Sequence, residues 1–595
     1  MNSGPYAHRR DPIRTAAVAG PCASAGAGVA TGRPAVGRLR RTVHTAVLAL
    51  LALGQTGAPL MMLAPAPLQA ADTLPALGDA ASGELSVVAE KRLGDQVMWQ
   101  IVNDPDFIDD PLLSDYLATT FGPLMNSARR RGEISDDLQS HFHFETFLVR
   151  DRTVNAFALP GGHIGVHLGL IAMTATRDQL AAVLAHELSH VTQRHIARMM
   201  AINRRQSALG AVTLILGVLA AARSPDAANA LIMGGQGVAA QGQLNFSRDM
   251  EREADRVGYG VLESAGYAGV GMVGMFERLQ AASRLDSQQF PYLRSHPLTG
   301  ERIGEARQRL GVSGAATSPD LSSGGEEARW LHAAMQGRAR ALMDLRNDSL
   351  RRLADGVGLQ AAGGLAASVE AASTPGAEAP VRASAVEQAA PSGQTATPDK
   401  LATAYAAALA ATRLKDWPRA DQALRRALAL VHGHPSAERP VQMLAVESLI
   451  ERGRAAEGLA LLQSQLNDGS RASLLMGASA VLASSGPQAA PLAELRPRSE
   501  ALQTWVALHP YDAAAWQMLG LLLERSGQPL AALRAQAEVR LSYGDLAGAA
   551  DRLRAGKRLA RSNGQAEGID AAVIDARLVF VEQQQRIVQA EERQH

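Results

Sequence analysis

His186, Glu187 and His190 are the residues whose types and spacing most directly suggest chemistry. Four residues turn an α-helix by about 400°, so the two histidines would lie one turn apart on the same face. Two neutral imidazoles in this arrangement can bind one zinc ion at about 2.0–2.1 Å each. Beside them, the Glu187 carboxylate could take a proton from the attacking water and return it to a leaving amine. The spacing therefore predicts a zinc hydrolase that takes a third ligand from elsewhere.

A helix is predicted around these residues. Apolar residues recur at helical spacing from Leu180 to Val191, and neither Pro nor Gly occurs between Asp178 and Met200. On such a continuous helix, His195 would lie about 140° around the axis from His190. We therefore expect His195 to make a hydrogen bond within the fold rather than to bind the metal.

A second acidic helix is predicted in FSRDMEREADRVGYG, residues 246–260. Glu251 and Asp255 are four apart and would share one face of it. A carboxylate from this helix could complete a two-His, one-Glu zinc site with an open position for water. Asp255 could hydrogen-bond a ligand histidine or the reacting group. HExxH alone is a moderate signal, and ExxAD about 60 residues later makes it a strong one.

A short strand at 144–150 and a β-hairpin at 155–171 are predicted next to the metal helix, with the turn at Pro160–Gly162. The outer strand of the hairpin could pair with an extended peptide. The substrate contacts predicted on it are Asn155, Ala156 and Phe157. Two further histidines, His163 and His167, would lie on a strand, where a spacing of four forms no clamp, so neither is predicted to bind metal.

The N-terminal region predicts export. Basic residues up to Arg41 precede an apolar run from Val43 to Leu53 and an Ala-rich end, as in a secretory signal peptide that is cleaved near Ala70 or Ala71. The alternative, an uncleaved anchor, would need about 20 apolar residues.

Residues 208–222 are apolar but only fifteen long, which favours a buried or half-exposed helix over a membrane span. Residues 228–243 are rich in Gly, Ala and Gln. They could form a lid, a contact with a membrane surface or partner, or a plain connection.

The composition limits the classes of function. At 595 residues the chain should hold more than one domain. Its 59 basic and 58 acidic residues nearly balance, which gives no electrostatic case for binding nucleic acid. The one cysteine, Cys22, precedes the predicted cleavage point, so the mature chain is predicted to have no disulfide.

The C-terminal half begins with a turn-rich boundary at 311–327 and a short helical stretch at 328–353. Residues 356–399 contain few large apolar side chains and are predicted to be disordered. From residue 401, helix–turn–helix patterns resemble tetratricopeptide repeats, which stack into a solenoid that binds proteins on its concave side. A generic α-helical domain is the alternative.

Taken together, HELSH, SRDMEREAD, NAFALPGGHIGV, HVTQRH and SHPLTGERI resemble the gluzincin metalloproteases of the HtpX type. Within them, the resemblance extends to the periplasmic beta-barrel assembly-enhancing branch, which carries tetratricopeptide repeats. It implies one zinc ion per chain held by His186, His190 and Glu251, with Glu187 as general base and Asp255 as proton donor or supporting acid. Glu253 would then be a solvated helix charge.

The resemblance also implies a role for His296 in SHPLTGERI. As a fourth ligand it would fill the open position of the zinc and suppress proteolysis until a substrate or partner moves its loop. The alternative is a histidine that only caps a turn before Pro297.

The predicted fold is mostly α, with an α+β protease domain that has a small β-hairpin or sheet beside the zinc helix, followed by a helical repeat solenoid. The predicted domains are a signal peptide and leader (1–71), the protease domain (80–312), a linker helix with a disordered segment (313–399) and the repeats (400–595).

The resemblance implies a periplasmic endopeptidase for quality control of outer-membrane β-barrel protein assembly. Its expected partners are unfolded or stalled outer-membrane proteins and the β-barrel assembly machinery. One alternative is a chaperone or assembly scaffold whose metal site is latent. Another, based on residues 208–222, is a membrane-embedded protease.

Overall fold

The computed structural model describes residues 85–202, 248–283, 290–314, 324–356, 397–465, 467–484, 492–564 and 568–592. The predicted signal peptide and its cleavage point, the apolar stretch 208–222, the segment 228–243 and most of the predicted disordered segment lie outside these residues. Among the helices within these ranges, none has the length and apolar character needed to cross a membrane.

A small sheet lies beside the helix that carries His186. Its strands are β1 (Phe107–Ile108), β2 (Glu145–Val149), β3 (Ala156–Ala158) and β4 (His163–His167). The order is β1-β2-β4-β3, in which β2 and β4 are parallel and the two outer pairs are antiparallel. Among the described residues, β3 therefore forms one edge of the sheet.

Strands β3 and β4 confirm the predicted hairpin between residues 156 and 167. Its turn requires glycine, since Gly161 and Gly162 have φ values of 82° and 104°. A Cβ on Gly162 would also lie 2.9 Å from the carbonyl oxygen of His143. The strand prediction was wrong after His167, where a helix begins. A short buried apolar run has no periodicity that distinguishes strand from helix.

The helices of the N-terminal half surround this sheet. They are α1 (Val87–Val102), α2 (Pro111–Arg130), α3 (Asp136–His141), α4 (Leu168–Met173), α5 (Arg177–Thr192), α6 (His195–Ile202), α7 (Arg248–Ser264), α8 (Val270–Ser283), α9 (Tyr292–Ser295) and α10 (Gly300–Gly314). Helix α5 carries His186, Glu187 and His190 and is capped by Thr176, whose side chain accepts a hydrogen bond from the Gln179 backbone.

The predicted continuous helix through residue 200 was wrong, because the chain breaks between α5 and α6. Arg194 has a φ of 51°, a left-handed conformation that ends a helix. Its guanidinium Nε lies 2.9 Å from a carboxylate oxygen of Glu90 in α1, an ion pair that helps to hold the break. The break changes the direction in which His195, the first residue of α6, points.

Helices α5 and α7 pack closely because small residues face each other at their contact. A Cβ added to Gly258 of α7 would lie 3.1 Å from the carbonyl oxygen of Ala185 in α5. This approach places Glu251, two turns before Gly258 on α7, opposite the two histidines of α5.

Two helices follow the protease domain predicted from the sequence, in the region where a linker helix was predicted. The predicted helical stretch at 328–353 is two helices, α11 (Gly325–Leu342) and α12 (Asn347–Ala354). Buried residues of α11 belong to one continuous apolar cluster that extends from the sheet to the C-terminal helices. Within this cluster, Arg338 of α11 binds both carboxylate oxygens of Asp110 at 2.7 and 2.6 Å.

The C-terminal half consists of successive helices that pack against their neighbours. They are α13 (Pro398–Arg413), α14 (Trp417–Leu430), α15 (Pro435–Glu451), α16 (Ala455–Gln465), α17 (Arg471–Ser484), α18 (Leu492–Leu508), α19 (Ala513–Arg525), α20 (Pro529–Ser542), α21 (Leu546–Ser562) and α22 (Ile569–Glu592). The predicted fold class, mostly α with a small sheet, is confirmed. The assignment of these helices to tetratricopeptide repeats stays a prediction.

Candidate metal centre

Four buried side chains from three separate segments converge on one point. They are His186 and His190 of α5, Glu251 of α7 and His296, which follows α9. Each offers one ligand atom, and these atoms all lie within 4.8 Å of one another. The four residues are at most 1% exposed to solvent. The structure therefore brings the three predicted ligands together and adds the predicted regulatory histidine to them.

The separations of these atoms suit a small tetrahedral cation. The Nε2 atom of His186 lies 3.0 Å from Nε2 of His190 and 3.3 Å from Nδ1 of His296. Oε1 of Glu251 lies 2.9 Å from Nδ1 of His296 and 3.5 Å from Nε2 of His190. Ligand atoms at about 2.0 Å from a tetrahedral zinc ion are about 3.3 Å apart. The donor set, three nitrogens and one carboxylate oxygen, also fits zinc.

Polar contacts behind the two α5 histidines indicate which nitrogen of each ring faces the cluster. Nδ1 of His186 lies 3.0 Å from an Asp255 oxygen, and Nδ1 of His190 lies 2.9 Å from Nδ1 of His195. If both Nδ1–H groups donate to these partners, both Nε2 lone pairs point at the same place. Two facing lone pairs repel each other unless a cation lies between them.

His195 is a residue whose importance the sequence alone did not indicate. Its Nδ1 atom contacts His190, and its Nε2 atom lies 3.1 Å from an oxygen of Glu253. The same Glu253 oxygen accepts a hydrogen bond from Arg198 at 2.8 Å. The break at Arg194 turns His195 back toward His190. The hydrogen bond expected for His195 is present, and Glu253 lies outside the ligand cluster, with a side chain that is 28% exposed and paired with His195 and Arg198.

Arg302 is a second residue without a predicted role, although it belongs to SHPLTGERI. Its guanidinium binds Asp255 through Nε at 2.6 Å and Nη2 at 2.8 Å. Its Nη1 atom lies 2.8 Å from Oε2 of Glu251 and donates to the Pro297 carbonyl at 2.9 Å. Arg302 thus connects the α7 carboxylates to the segment that carries His296.

The charges around the site favour a bound cation. Burial on its own raises the pKa of Asp255, but Arg302 and His186 outweigh it and hold this pKa below its usual value. Burial on its own lowers the pKa of His186, but hydrogen bonds and charge from Asp255 and Glu251 raise it to about 10. Asp255 is therefore ionised with both oxygens engaged, which favours an orienting role over that of proton donor.

Glu187 faces the same point with a carboxylate that forms no hydrogen bond with the described residues. It is 0% exposed, and neither of its oxygens has a hydrogen-bond partner among the described residues. Nε2 of His296 lies 3.5 Å from one of them. A buried carboxylate without hydrogen bonds is costly. A metal centre with an attacking water beside it would compensate this charge, so the residues present fit a metal.

The other predicted positions lie around this centre. His163 pairs with Glu145 at 2.8 Å and His167 with the Thr153 hydroxyl at 2.9 Å, and neither belongs to the ligand cluster.

Asn155 and Ala156 are buried and Phe157 is half-buried at the edge of the sheet. The Asn155 carbonyl accepts from the His167 backbone at 3.1 Å, which directs it inward. Antiparallel alternation then turns the backbone groups of Ala156 and Ala158 outward.

Comparisons with known proteins agree with this geometry. Residues 128–310 match peptidase family M48. The beta-barrel assembly-enhancing protease of Escherichia coli K12 is 34% identical over 272 residues, 46% of this chain and 53% of that protein. Its putative counterpart in Vibrio cholerae is 37% identical over 236 residues, 40% of this chain and 47% of that protein. The mitochondrial metalloendopeptidase OMA1 of Schizosaccharomyces pombe is 31% identical over 229 residues, 38% of this chain and 63% of that protein.

The chain thus spans about half the length of the first two relatives. The four converging side chains all lie within the range that matches the family. Residues 128–310 of this chain are therefore similar to the metalloproteases of peptidase family M48, and the chain is similar to the beta-barrel assembly-enhancing proteases over about half of their length.

Proposed function

We propose that this chain is an exported zinc-dependent endopeptidase whose metal site is closed at rest by His296. The observation that carries the proposal is the convergence of His186, His190 and Glu251 on one point beside the buried carboxylate of Glu187, which forms no hydrogen bond with the described residues. A structural metal site would need the ligands but no such free carboxylate oxygens next to them.

Each residue has a defined task in peptide hydrolysis. His186, His190 and Glu251 would hold the zinc ion, which supplies Lewis-acid activation of the water and of the scissile carbonyl. Glu187 would take the proton of the attacking water and deliver it to the leaving amine. Asp255 would keep His186 in the tautomer whose Nε2 faces the cluster, and Arg302 would keep Asp255 ionised.

The edge of the sheet would hold the substrate. The outward N–H and C=O groups of Ala156 and Ala158 could pair with an extended peptide. Oδ1 of Asn155 is buried and has no hydrogen-bond partner among the described residues, so it could accept an N–H from the same peptide. The geometry thus supports Asn155 and Ala156 as substrate contacts and favours Ala158 over Phe157, whose backbone pairs with Gly165.

His296 would act as a removable fourth ligand. Three protein ligands leave a tetrahedral zinc one position for the water, and a fourth removes it. The four side chains of the cluster are almost fully buried, and movement of the His296 segment would free one position at the metal for the water and substrate. A protease that is closed at rest would not degrade correctly folded proteins around it.

The proposed place of action is the periplasm, after cleavage of residues 1–71 near Ala70 or Ala71. The relatives named for beta-barrel assembly support unfolded or stalled outer-membrane proteins as substrates and the β-barrel assembly machinery as partner. The helices from residue 400 onward, proposed as tetratricopeptide repeats, would bind these proteins.

The test uses the zinc-loaded mature chain with His296→Ala, so that the fourth ligand does not limit the rate. We expect this variant to cleave unfolded β-casein, and Glu187→Gln in the same background to lower the rate by about 100-fold or more. Glu277→Gln, an exposed carboxylate of the same domain paired with Arg307, is the control. Cleavage by the Glu187→Gln protein at the control's rate would show that the mechanism is wrong.

The alternative, an assembly scaffold with a latent metal site, is favoured by the same burial of the cluster. A bacterial strain that carries only the Glu187→Gln chain separates the two functions. Defective outer-membrane protein assembly in this strain supports the protease, whereas normal assembly supports the scaffold.

A further inference from the structure

A small apolar cavity lies beside His186 and has no role in the mechanism above. Helix α5 contributes Ala182 and Val183, which lie one turn before His186 on the same helix face. Helix α8 contributes Met272, Met275, Phe276 and Leu279. We call this cavity the α8 pocket. Its volume is about 10 Å³, close to the lower limit for a single water molecule.

Tyr292 also lines the α8 pocket and is only 3% exposed. Its ring stacks on the His296 ring, with centroids 4.7 Å apart and an interplanar angle of 28°. It also meets the His186 ring at a centroid distance of 6.4 Å. One aromatic side chain therefore lies between an apolar pocket, a proposed zinc ligand and the proposed fourth ligand.

Backbone hydrogen bonds connect Tyr292 both to the chain next to β3, the strand proposed to bind the substrate, and to His296. Its N–H donates to the carbonyl of Val154, two residues before β3, at 3.4 Å, and its carbonyl accepts from the His296 N–H at 2.8 Å. A peptide paired with β3 that places its scissile carbonyl near Glu187 would bring a neighbouring side chain alongside His186. That is where the Tyr292 ring lies.

We infer that Tyr292 occupies, from within the chain, the pocket that a large apolar side chain of the substrate takes during cleavage. This inference rests on the proposed endopeptidase function and adds a specificity to it. The space beside Tyr292 is too small for a side chain, so a substrate residue enters only when the tyrosine ring leaves. The bond cleaved is therefore one flanked by a residue such as Phe, Tyr, Leu or Met.

The lining explains why this preference is for large apolar residues in general. Apart from His186, whose proposed task is to hold the metal, the α5 and α8 side chains of the pocket are apolar, so an Asn or Asp side chain would be buried there against groups that offer no hydrogen bond. Methionine is flexible and fills irregular space, so Met272 and Met275 can adapt to several apolar shapes.

Displacement of Tyr292 also moves His296. The two rings are stacked, and the His296 N–H donates a hydrogen bond to the Tyr292 carbonyl. Opening of the metal site then depends on the substrate. An unfolded polypeptide with exposed aromatic residues would open the site, whereas a folded protein that buries such residues would not.

The experiment compares two short alanine-rich fluorogenic peptides that differ only in one central residue, Phe or Asn. The zinc-loaded mature chain with His296→Ala is the starting protein. Adding Tyr292→Ala should raise kcat/KM for the Phe peptide by about tenfold or more, which is the factor by which apolar pockets discriminate between side chains. The value of kcat/KM for the Asn peptide should stay within about twofold of that of the starting protein. Tyr267→Ala, another buried tyrosine of the domain, controls for general loosening and should change both rates alike.

Binding of the same peptides to Glu187→Gln variants, measured by fluorescence anisotropy, separates the two hypotheses. If no variant cleaves either peptide, the endopeptidase proposal fails. Even then, tighter binding of the Phe peptide after Tyr292→Ala, by about tenfold, supports the inference about the pocket. Equal binding of the two peptides, or an equal gain in both cleavage rates, overturns it.

Discussion

Replacement of His195 by phenylalanine is expected to weaken zinc binding by about 10- to 100-fold without removing a zinc ligand. The phenylalanine ring keeps a planar aromatic group at this position but cannot form the hydrogen bonds to His190 at 2.9 Å and Glu253 at 3.1 Å. In the zinc-bound state, Nδ1–H of His190 must donate, because Nε2 holds the metal.

The magnitude follows from the burial of His190, which is 0% exposed. A buried donor that loses its acceptor costs about 1–3 kcal/mol. Since about 1.4 kcal/mol corresponds to a factor of ten, this cost corresponds to about 5- to 150-fold in the dissociation constant. In the zinc-free protein, His190 can change its tautomer and so avoid part of this free-energy cost. The variant therefore destabilises mainly the zinc-bound state.

Competition with a chromophoric chelator measures the zinc dissociation constant. The absorption of a Co²⁺-substituted protein reports whether the ligand geometry changes. His163→Phe is the matched control, a buried histidine of the same domain that pairs with Glu145 outside the cluster. The reasoning is refuted if His195→Phe binds zinc within about twofold of the wild type, or if the control loses as much affinity.

Three further predictions concern stability and helix packing. Burial lowers the pKa of His332 from 6.5 to about 4. Its contribution to the free energy of unfolding is therefore complete above pH 6.5 and lost as the pH falls through about 4. In chemical denaturation of His332→Gln, the free energy of unfolding should change less over this pH range than that of the wild type, by up to about 3 kcal/mol. An equal change in both proteins would contradict this role of His332. Arg338→Met should lower the unfolding free energy by about 3–5 kcal/mol, because Asp110 is left buried and unpaired. Adding Asp110→Asn should restore part of this loss, and no recovery in urea denaturation would count against a buried ion pair. Gly258→Val should push α7 away from α5 and weaken zinc binding, whereas Gly304→Val, where a Cβ would meet no atom within 4 Å, should not. Equal zinc affinity of the two variants would exclude this role of the close contact.

Local periodicity was enough to predict the helix face that carries the chemistry. His186, Glu187 and His190 lie on α5 as their spacing requires, because positions four apart on a helix always share a face. The hairpin of β3 and β4 could likewise be read from alternation around two glycines. The mostly α fold class followed from the same kind of pattern.

Periodicity failed where backbone breaks and long-range packing decide the outcome. Nothing in HVTQRH indicates that Arg194 adopts a positive φ and thereby turns His195 back onto His190. The helical stretch at 328–353 could be predicted from its pattern, but not that the buried side chains of α11 would join one apolar cluster with the sheet and the C-terminal helices.

The sequence by itself thus determined which residue types and which helix faces are available for metal chemistry. Only the tertiary structure decided how they meet, because residues far apart in the chain come together through packing. The contact of Gly258 with Ala185 sets Glu251 opposite the histidines. Arg302 ties the α7 carboxylates to the Pro297 segment, and Tyr292 holds His296 against the cluster.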